Sequence, residues 1–495
     1  MKTKLLITIT LLAAILRFYH NSANPPGLFL DELSNGYNAY SILKTGRDEY
    51  GNFLPLVFKS FGDYNPALSV YTLVPSIAVF GLNEISVRFP SAFLGTISTL
   101  LVYAIVKKFF DSKKIALASA FFLAVLPWSI HFSRYDHEAN IMLFFTLLGL
   151  YLFLNTKNRI IWLTASAIAF GLAFNSYQGA KIWIPVFLIN LVIWYRTEFK
   201  KFGFKKAAMC FFILSLFLLP AVLNFRTTLI RGQSVGIFQS NNKIEQFISG
   251  YLKHYSLNFL FVSGDSIGRH AVEGIGELYV FLLPLIILGL KDLLTKSKSR
   301  GEKLLLSWFV LAPIPAALAV PTPHALRSLQ LVPVFSIIAA YGLHRLSTWK
   351  DNYYKKLSFL AIFLIGLYNL VSYFHLYYVH YPKLKEIDWS YGYKQMVEYV
   401  NSVKGQYSTI AISSYYGWPY IAVLFYSVYD PAGYQPQSQD KTRFDKFEFF
   451  NESWGKTRDG KALVVTPEWQ GHPPKILKEI YYQNGDVAFR ISEEE

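Results

Sequence analysis

Two adjacent carboxylates, Asp31 and Glu32, stand in the segment LFLDELSNGYNAYSILKTG, directly after an apolar stretch. Adjacent residues on a helix point about 100° apart, so the two cannot do the same work. One is placed to take a proton or reach a reacting centre, and the other to support a metal, a basic partner or the local backbone. Acidic residues at a helix N-terminus also have a plain structural use as caps, and the residues alone leave both readings open. Further on, GLNEISVRFPS sets Glu84 and Arg88 at i,i+4, the spacing of an ion pair that would fix the start of a helix.

Four more segments carry groups of the same kind. HFSRYDHEAN holds His131, Arg134, Asp136, His137 and Glu138; SYQGAKIWIP holds Lys181; FLFVSGDSIGRHAVEGIGELY holds Asp265, Arg269, His270, Glu273 and Glu277; PTPHALRS holds His324 and Arg327 at i,i+3. Arg offers bidentate geometry to phosphate oxygens, and Lys a point charge. The bland alternatives are a hydrated turn around Asp136 and a snorkelling interfacial Lys181. Together the segments describe carboxylates for base or metal work beside cations for an anionic head group.

The elements that must position these groups are apolar helices. Of 495 residues, 53% are hydrophobic and 17% aromatic, against 16% charged, which is too few charges for an ordinary soluble domain. About eleven spans are expected, near 4–20, 86–106, 114–131, 138–154, 159–176, 181–195, 205–222, 276–291, 304–320, 328–345 and 357–375. The first reads as a retained signal anchor, since no small-residue cleavage site follows it. The apolar run NPALSVYTLVPSIAVFG reads as a helix lying in the interface.

Lys+Arg 48 against Asp+Glu 32 gives a net charge of +16, yet the clusters fall between apolar runs, so the excess marks cytoplasmic loops rather than a nucleic-acid partner. Lys107, Lys108, Lys113 and Lys114 share one such loop, and Arg196, Lys200, Lys201, Lys205 and Lys206 another. The N-terminus is then cytoplasmic. All six chemistry-bearing segments, one of them in a loop of roughly 50 residues after Pro220, are expected on the opposite face, where ionisable groups beside lipid mark a polar cavity. The single cysteine, Cys210, excludes an intrachain disulfide and a Cys-rich metal site.

The expected fold is therefore an α-helical polytopic membrane protein with a C-terminal soluble α/β domain on the non-cytoplasmic side. Residues 1–375 form the membrane domain with a long first outer loop, 21–85, and residues 376–495 the soluble domain. There, STIAISS, KALVVTPE and GDVAFRISEEE read as strands and WSYGYKQMVEYVNSV as an amphipathic helix.

The early Asp31-Glu32 pair, the G-x-x-E-x-x-x-R-x-P run from Gly81 to Pro90 and the many-span layout resemble the bacterial members of the dolichyl-phosphate-mannose-protein mannosyltransferase-like superfamily. These C-type membrane glycosyltransferases include the lipid A aminoarabinose transferase. The resemblance covers roughly residues 1–375. It implies inverting transfer of a sugar from a polyprenyl-phosphate donor to a lipid, glycan or protein acceptor at the outer face of a bacterial cytoplasmic membrane, with a divalent cation bound. It also implies that Asp31 is the first-loop catalytic acid, Glu32 its partner and Asp136 the second outer-loop acid. Arg88, Arg134, Lys181, Arg269, His270, His324 and Arg327 are the expected substrate-binding residues, with Lys181 a partner of Asp136. Glu84 and His137 are the expected metal ligands. The stretch Asp136-His137-Glu138-Ala139 departs from the acid–His–Pro–Pro arrangement of eukaryotic protein mannosyltransferases, which puts a protein hydroxyl acceptor in doubt. The competing reading is a transporter or flippase of an anionic glycolipid, which would need accessible groups on both faces.

Overall fold

The computed structural model describes residues 2–157, 159–223, 236–237, 242–296, 299–453, 455, 460–468 and 475–494. Of the loop expected after Pro220, residues 224–235 and 238–241 lie outside the described residues, as do 297–298 of the basic run after the eighth expected span. The chain divides into two units. One takes in Met1–Tyr19, Asp63–Leu68 and Ser91–Leu376; the other His20–Gly62, Ser69–Pro90 and Tyr377–Glu495. Most of the segment 21–85 thus groups with the C-terminal residues.

Every expected span overlaps a helix, although 276–291 starts before helix Leu282–Lys296, 304–320 runs past Arg300–Leu311, and 114–131 covers two helices, Lys113–Val125 and Pro127–Phe132. The first unit carries helices Lys2–Phe18, Lys113–Val125, Glu138–Leu154, Ile160–Phe174, Ala180–Leu223, Leu282–Lys296, Arg300–Leu311, Val332–Ser347 and Asn352–His375, and most of helix Glu84–Phe110. Two expected spans, 181–195 and 205–222, lie on helix Ala180–Leu223, which is broken at Tyr195 and at Gly203, where φ is 72°. Among the described residues, four helical stretches are long and apolar enough to cross a membrane by length and composition: Glu84–Phe110, Ala180–Leu223, Leu329–Ser347 and Asn352–Leu384. The chain is a multi-pass membrane protein.

Within this unit, helices Glu138–Leu154 and Ile160–Phe174 pack together, and Leu282–Lys296 packs on Val332–Ser347. The latter pair meets at glycines: a Cβ on Gly342 would lie 1.9 Å from the Leu285 carbonyl oxygen, and one on Gly289 would lie 2.3 Å from that of Ile338. Small residues bring membrane helices into backbone contact in this way.

Two short strands, β1 (Val57–Ser60) and β2 (Asp63–Pro66), precede helix Ala67–Phe80, which matches the apolar run read as interfacial. The second unit is built on six strands: β3 (Thr409–Ser413), β4 (Arg443–Phe444), β5 (Phe447–Phe450), β6 (Ala462–Thr466), β7 (Lys475–Tyr481) and β8 (Val487–Glu494). They run in the order β4-β5-β3-β6-β8-β7, with β3 parallel to both neighbours and the other pairs antiparallel. β3 and β6 are buried along their whole length, as expected of central strands covered on both faces. Helix Tyr393–Val403 packs on helix Pro419–Tyr426, and so does helix Leu30–Thr45 from the first loop. A Cβ on Gly36 would come within 2.8 Å of both Phe425 and Val87, so a side chain there would push this contact apart.

Candidate functional site

In the second unit, Asp31 and Glu32 open helix Leu30–Thr45, where negative charge is favourable against the helix dipole. Glu32 is wholly buried, whereas Asp31 is only partly so. Arg88 grips Glu32 with two prongs, Nε to Oε1 at 3.0 Å and Nη2 to Oε2 at 3.1 Å. The remaining donors of the guanidinium go to the carbonyls of Asn21 and Pro25, both at 2.9 Å, and of Gly27. Glu32 also accepts from the Phe29 N–H at 3.1 Å, so it caps the helix and pairs a cation at once. The expected Glu84–Arg88 pair is not formed. Arg88 is taken by Glu32, and Glu84 reaches Lys394 at 2.8 Å. An i,i+4 pairing is a weak surface preference, and a fully desolvated bidentate pair with three more carbonyls outweighs it.

The first unit gathers a second cluster. Asp265 Oδ2 accepts from His270 Nδ1 at 3.0 Å and from the Ala325 N–H at 2.7 Å, and it lies 3.7 Å from His324 Nδ1; Oδ1 accepts from the Ile267 N–H at 3.0 Å. The His270 and His324 ring centroids are 4.8 Å apart. Burial pushes the Asp265 carboxyl up, but the His270 hydrogen bond and the two imidazoles outweigh it and hold the group below its ordinary value. Burial, reinforced by Arg327 and His270, pushes His324 down to about 2.

Behind this cluster, His254 Nδ1 donates to the Gly250 carbonyl at 2.7 Å while Nε2 accepts from the His324 N–H at 3.1 Å. Those partners assign a neutral tautomer, in keeping with a pKa that burial lowers to about 4. The His324 backbone N–H is thereby held by His254.

Asp265, His270 and His324 each offer a ligand atom, and these atoms all lie within 4.8 Å of one another. His324 Nδ1 is buried and has no hydrogen-bond partner among the described residues, a costly arrangement for a polar atom unless something else binds it. Two imidazoles and a carboxylate make a donor set suited to zinc or a similar divalent ion, with a coordination position left open. The structure puts neither Glu84 nor His137 in this triad. His137 instead caps helix Glu138–Leu154, its Nδ1 accepting from the Ala139 N–H at 3.2 Å.

The other expected residues of this unit are dispersed around the histidines. Arg269 gives its carbonyl to His131 Nε2 at 2.6 Å. Arg327 donates to the Val320 carbonyl at 2.8 Å and to the Tyr177 hydroxyl, and the Tyr177 ring lies 6.1 Å from that of His137. Lys181 bonds Gln178. Asp136 is buried. Arg134 is buried and donates to the carbonyls of Leu16 and Tyr19 at 2.8 Å, closing the end of helix Lys2–Phe18. Arg17 does the reverse, donating to Leu123 and Ala124 at the end of helix Lys113–Val125. These carbonyls are the ones a helix C-terminus leaves unpaired.

Residues 65–222 match the family described as dolichyl-phosphate-mannose-protein mannosyltransferase, so the resemblance read from the motifs holds over that segment. A Bacillus subtilis (strain 168) protein named "Putative mannosyltransferase YkcB" is 27% identical over 202 residues, 40% of this chain and 27% of the relative. The aligned part thus spans about a quarter of that curated relative's length. Among solved structures, ArnT from Cupriavidus metallidurans bound to undecaprenyl phosphate is similar with a TM-score of 0.57 at 12% identity, covering 99% of this chain and 98% of ArnT. The Archaeoglobus fulgidus oligosaccharyltransferase is similar with a TM-score of 0.55 at 15% identity, covering 86% of this chain and 63% of that one.

Proposed function

We propose that the chain transfers a sugar from a polyprenyl-phosphate-linked donor, with inversion, to an acceptor hydroxyl at the outer face of a bacterial cytoplasmic membrane. The carrying observation is the division of labour in the Asp31-Glu32 pair: Glu32 is consumed by Arg88 and the Phe29 N–H, while its neighbour Asp31 is held at the same helix start and only partly buried. The likeness to ArnT with undecaprenyl phosphate, and to an Archaeoglobus fulgidus AglB bound to a dolichol-phosphate, supports a lipid-phosphate donor. The basic loops support a cytoplasmic N-terminus and an outer catalytic face.

In this reading Asp31 takes the proton of the acceptor hydroxyl as its oxygen attacks the anomeric carbon. The bond from that carbon to the phosphate oxygen breaks on the opposite side, and the lipid phosphate leaves with the electron pair. Glu32 and Arg88 are positioning residues. Arg269, Arg327 and Lys181 supply positive charge for the phosphate, and Asp136 is the second acid. Asp265, His270 and His324 would hold a divalent cation, whose chemistry is Lewis-acid neutralisation of phosphate charge.

The test is transfer of radiolabelled sugar from defined polyprenyl-phosphate donors by the purified protein in lipid, with and without a chelator. Donor-dependent transfer that a chelator lowers and a divalent ion restores is the expected result. No turnover across a broad donor and acceptor panel by folded protein would overturn the proposal in favour of transport.

A further inference from the structure

A cavity of about 480 Å³ in the helical unit is lined by residues of the 253–266 stretch and by Thr322 and Pro323. Its accessible surface is more apolar than polar, and the polar side chains it does carry are largely unused. Lys253, Asn258, Ser266 and Thr322 line it, and none of their side chains has a hydrogen bond or ion pair among the described residues. Ser256 Oγ accepts from the Phe259 N–H at 3.3 Å and keeps its own proton to donate. Asp265 forms part of the same wall, although its oxygens are already engaged by His270, Ala325 and Ile267.

The chemistry of this wall selects its ligand. Each hydroxyl both donates and accepts, and the carboxamide adds two donors and an acceptor, so the wall matches a ligand whose own groups do both. Sugar hydroxyls have that property. A phosphate accepts only, so it would leave the acceptor atoms of the carboxamide and hydroxyls unmatched. Half-buried Pro323 supplies an aliphatic surface for the C–H face of a ring. The volume falls within the roughly 300–1,000 Å³ usual for small-molecule sites.

We propose that this cavity is a carbohydrate subsite that holds a sugar ring of the acceptor, so the acceptor is a glycan or glycolipid rather than a bare protein hydroxyl. The inference rests on the glycosyl-transfer reading for what the bound sugar is used for, but its test does not. Full-length protein in lipid nanodiscs, without donor, is examined by saturation-transfer NMR against the methyl glycosides of mannose, glucose, galactose and arabinose. Wild type receives saturation transfer for at least one glycoside. Ser266→Trp, which fills the cavity from an exposed position, abolishes it, and Asn258→Leu weakens binding about 2- to 12-fold, the equivalent of one hydrogen bond. Thermal melting confirms that both variants are folded.

No transfer to any glycoside in wild type, or signals unchanged in both folded variants, overturns the proposal. Binding intact without turnover counts against the transfer reading alone. Turnover intact without binding counts against the subsite alone.

Discussion

The Glu32–Arg88 clamp and the Asp265–His270–His324 triad are both buried clusters of charged or chargeable groups, and they differ in how completely they are satisfied. Every nitrogen of Arg88 has a partner, and Glu32 uses both oxygens. The triad keeps His324 Nδ1 buried and unbonded among the described residues, with a carboxylate 3.7 Å away. A saturated cluster has nothing left to offer a ligand and serves to fix geometry. An undersatisfied one spends stability on a vacancy that a ligand removes. On the proposed function, the first cluster positions and the second binds.

The largest effect is expected where the saturated cluster is broken. Arg88→Met leaves Glu32 buried without its cation and three carbonyls without a donor, so the folded state should lose about 3–5 kcal/mol, read as a fall in denaturant midpoint. A loss no greater than that of a surface substitution would break the contrast. In the triad, His324→Ala removes a ligand rather than a support. Zinc affinity, followed by competition with a chromogenic chelator, should fall by at least the ~10–100-fold that loss of an outer-shell partner costs, with little change in apo-protein melting. Equal zinc affinity in both proteins would remove the triad as a metal site.

The smallest effect concerns His137. Its surroundings desolvate it and push the imidazole down to about 3, and an Nδ1 that accepts from Ala139 cannot do so when protonated. The unfolded chain takes up this proton near pH 6.5 and the folded chain does not, so stability is lost as pH falls below that value. The slope is roughly 1.4 kcal/mol per pH unit for one histidine. His137→Gln should remove that part of the slope between pH 6.5 and 5 in melting curves, and an unchanged slope would contradict the cap.

Much of this was legible because membrane helices announce themselves. An apolar run long enough to enter lipid has few other fates, so the segments read from hydropathy coincide with helices from Lys2–Phe18 to Asn352–His375. The strands around Ile410, Val464 and Phe489 were legible for the same reason, as short apolar runs in a polar tail. Partnerships were not. Arg88 has a carboxylate four residues before it and uses one 56 residues away, because burial rather than spacing decides among candidates. Arg134 stands among ionisable groups, which read as a substrate site, yet its contacts to Leu16 and Tyr19 are those of a helix cap. Asp265 stands out as an ionisable group of its glycine-punctuated stretch but has no role legible there, because the cluster forms only when residues 265, 270 and 324 meet. His254 carries no local signal at all.

The central claim is that Asp31 is the group that acts while Glu32 is the group that holds. It is tested most directly by comparing wild type with Asp31→Asn, an isosteric change that leaves the Glu32–Arg88 clamp in place, in transfer of radiolabelled sugar from a polyprenyl-phosphate donor. The account predicts normal melting and a rate lower by about 10²–10⁴-fold, the range for losing a general base. Full transfer by folded Asp31→Asn would contradict it.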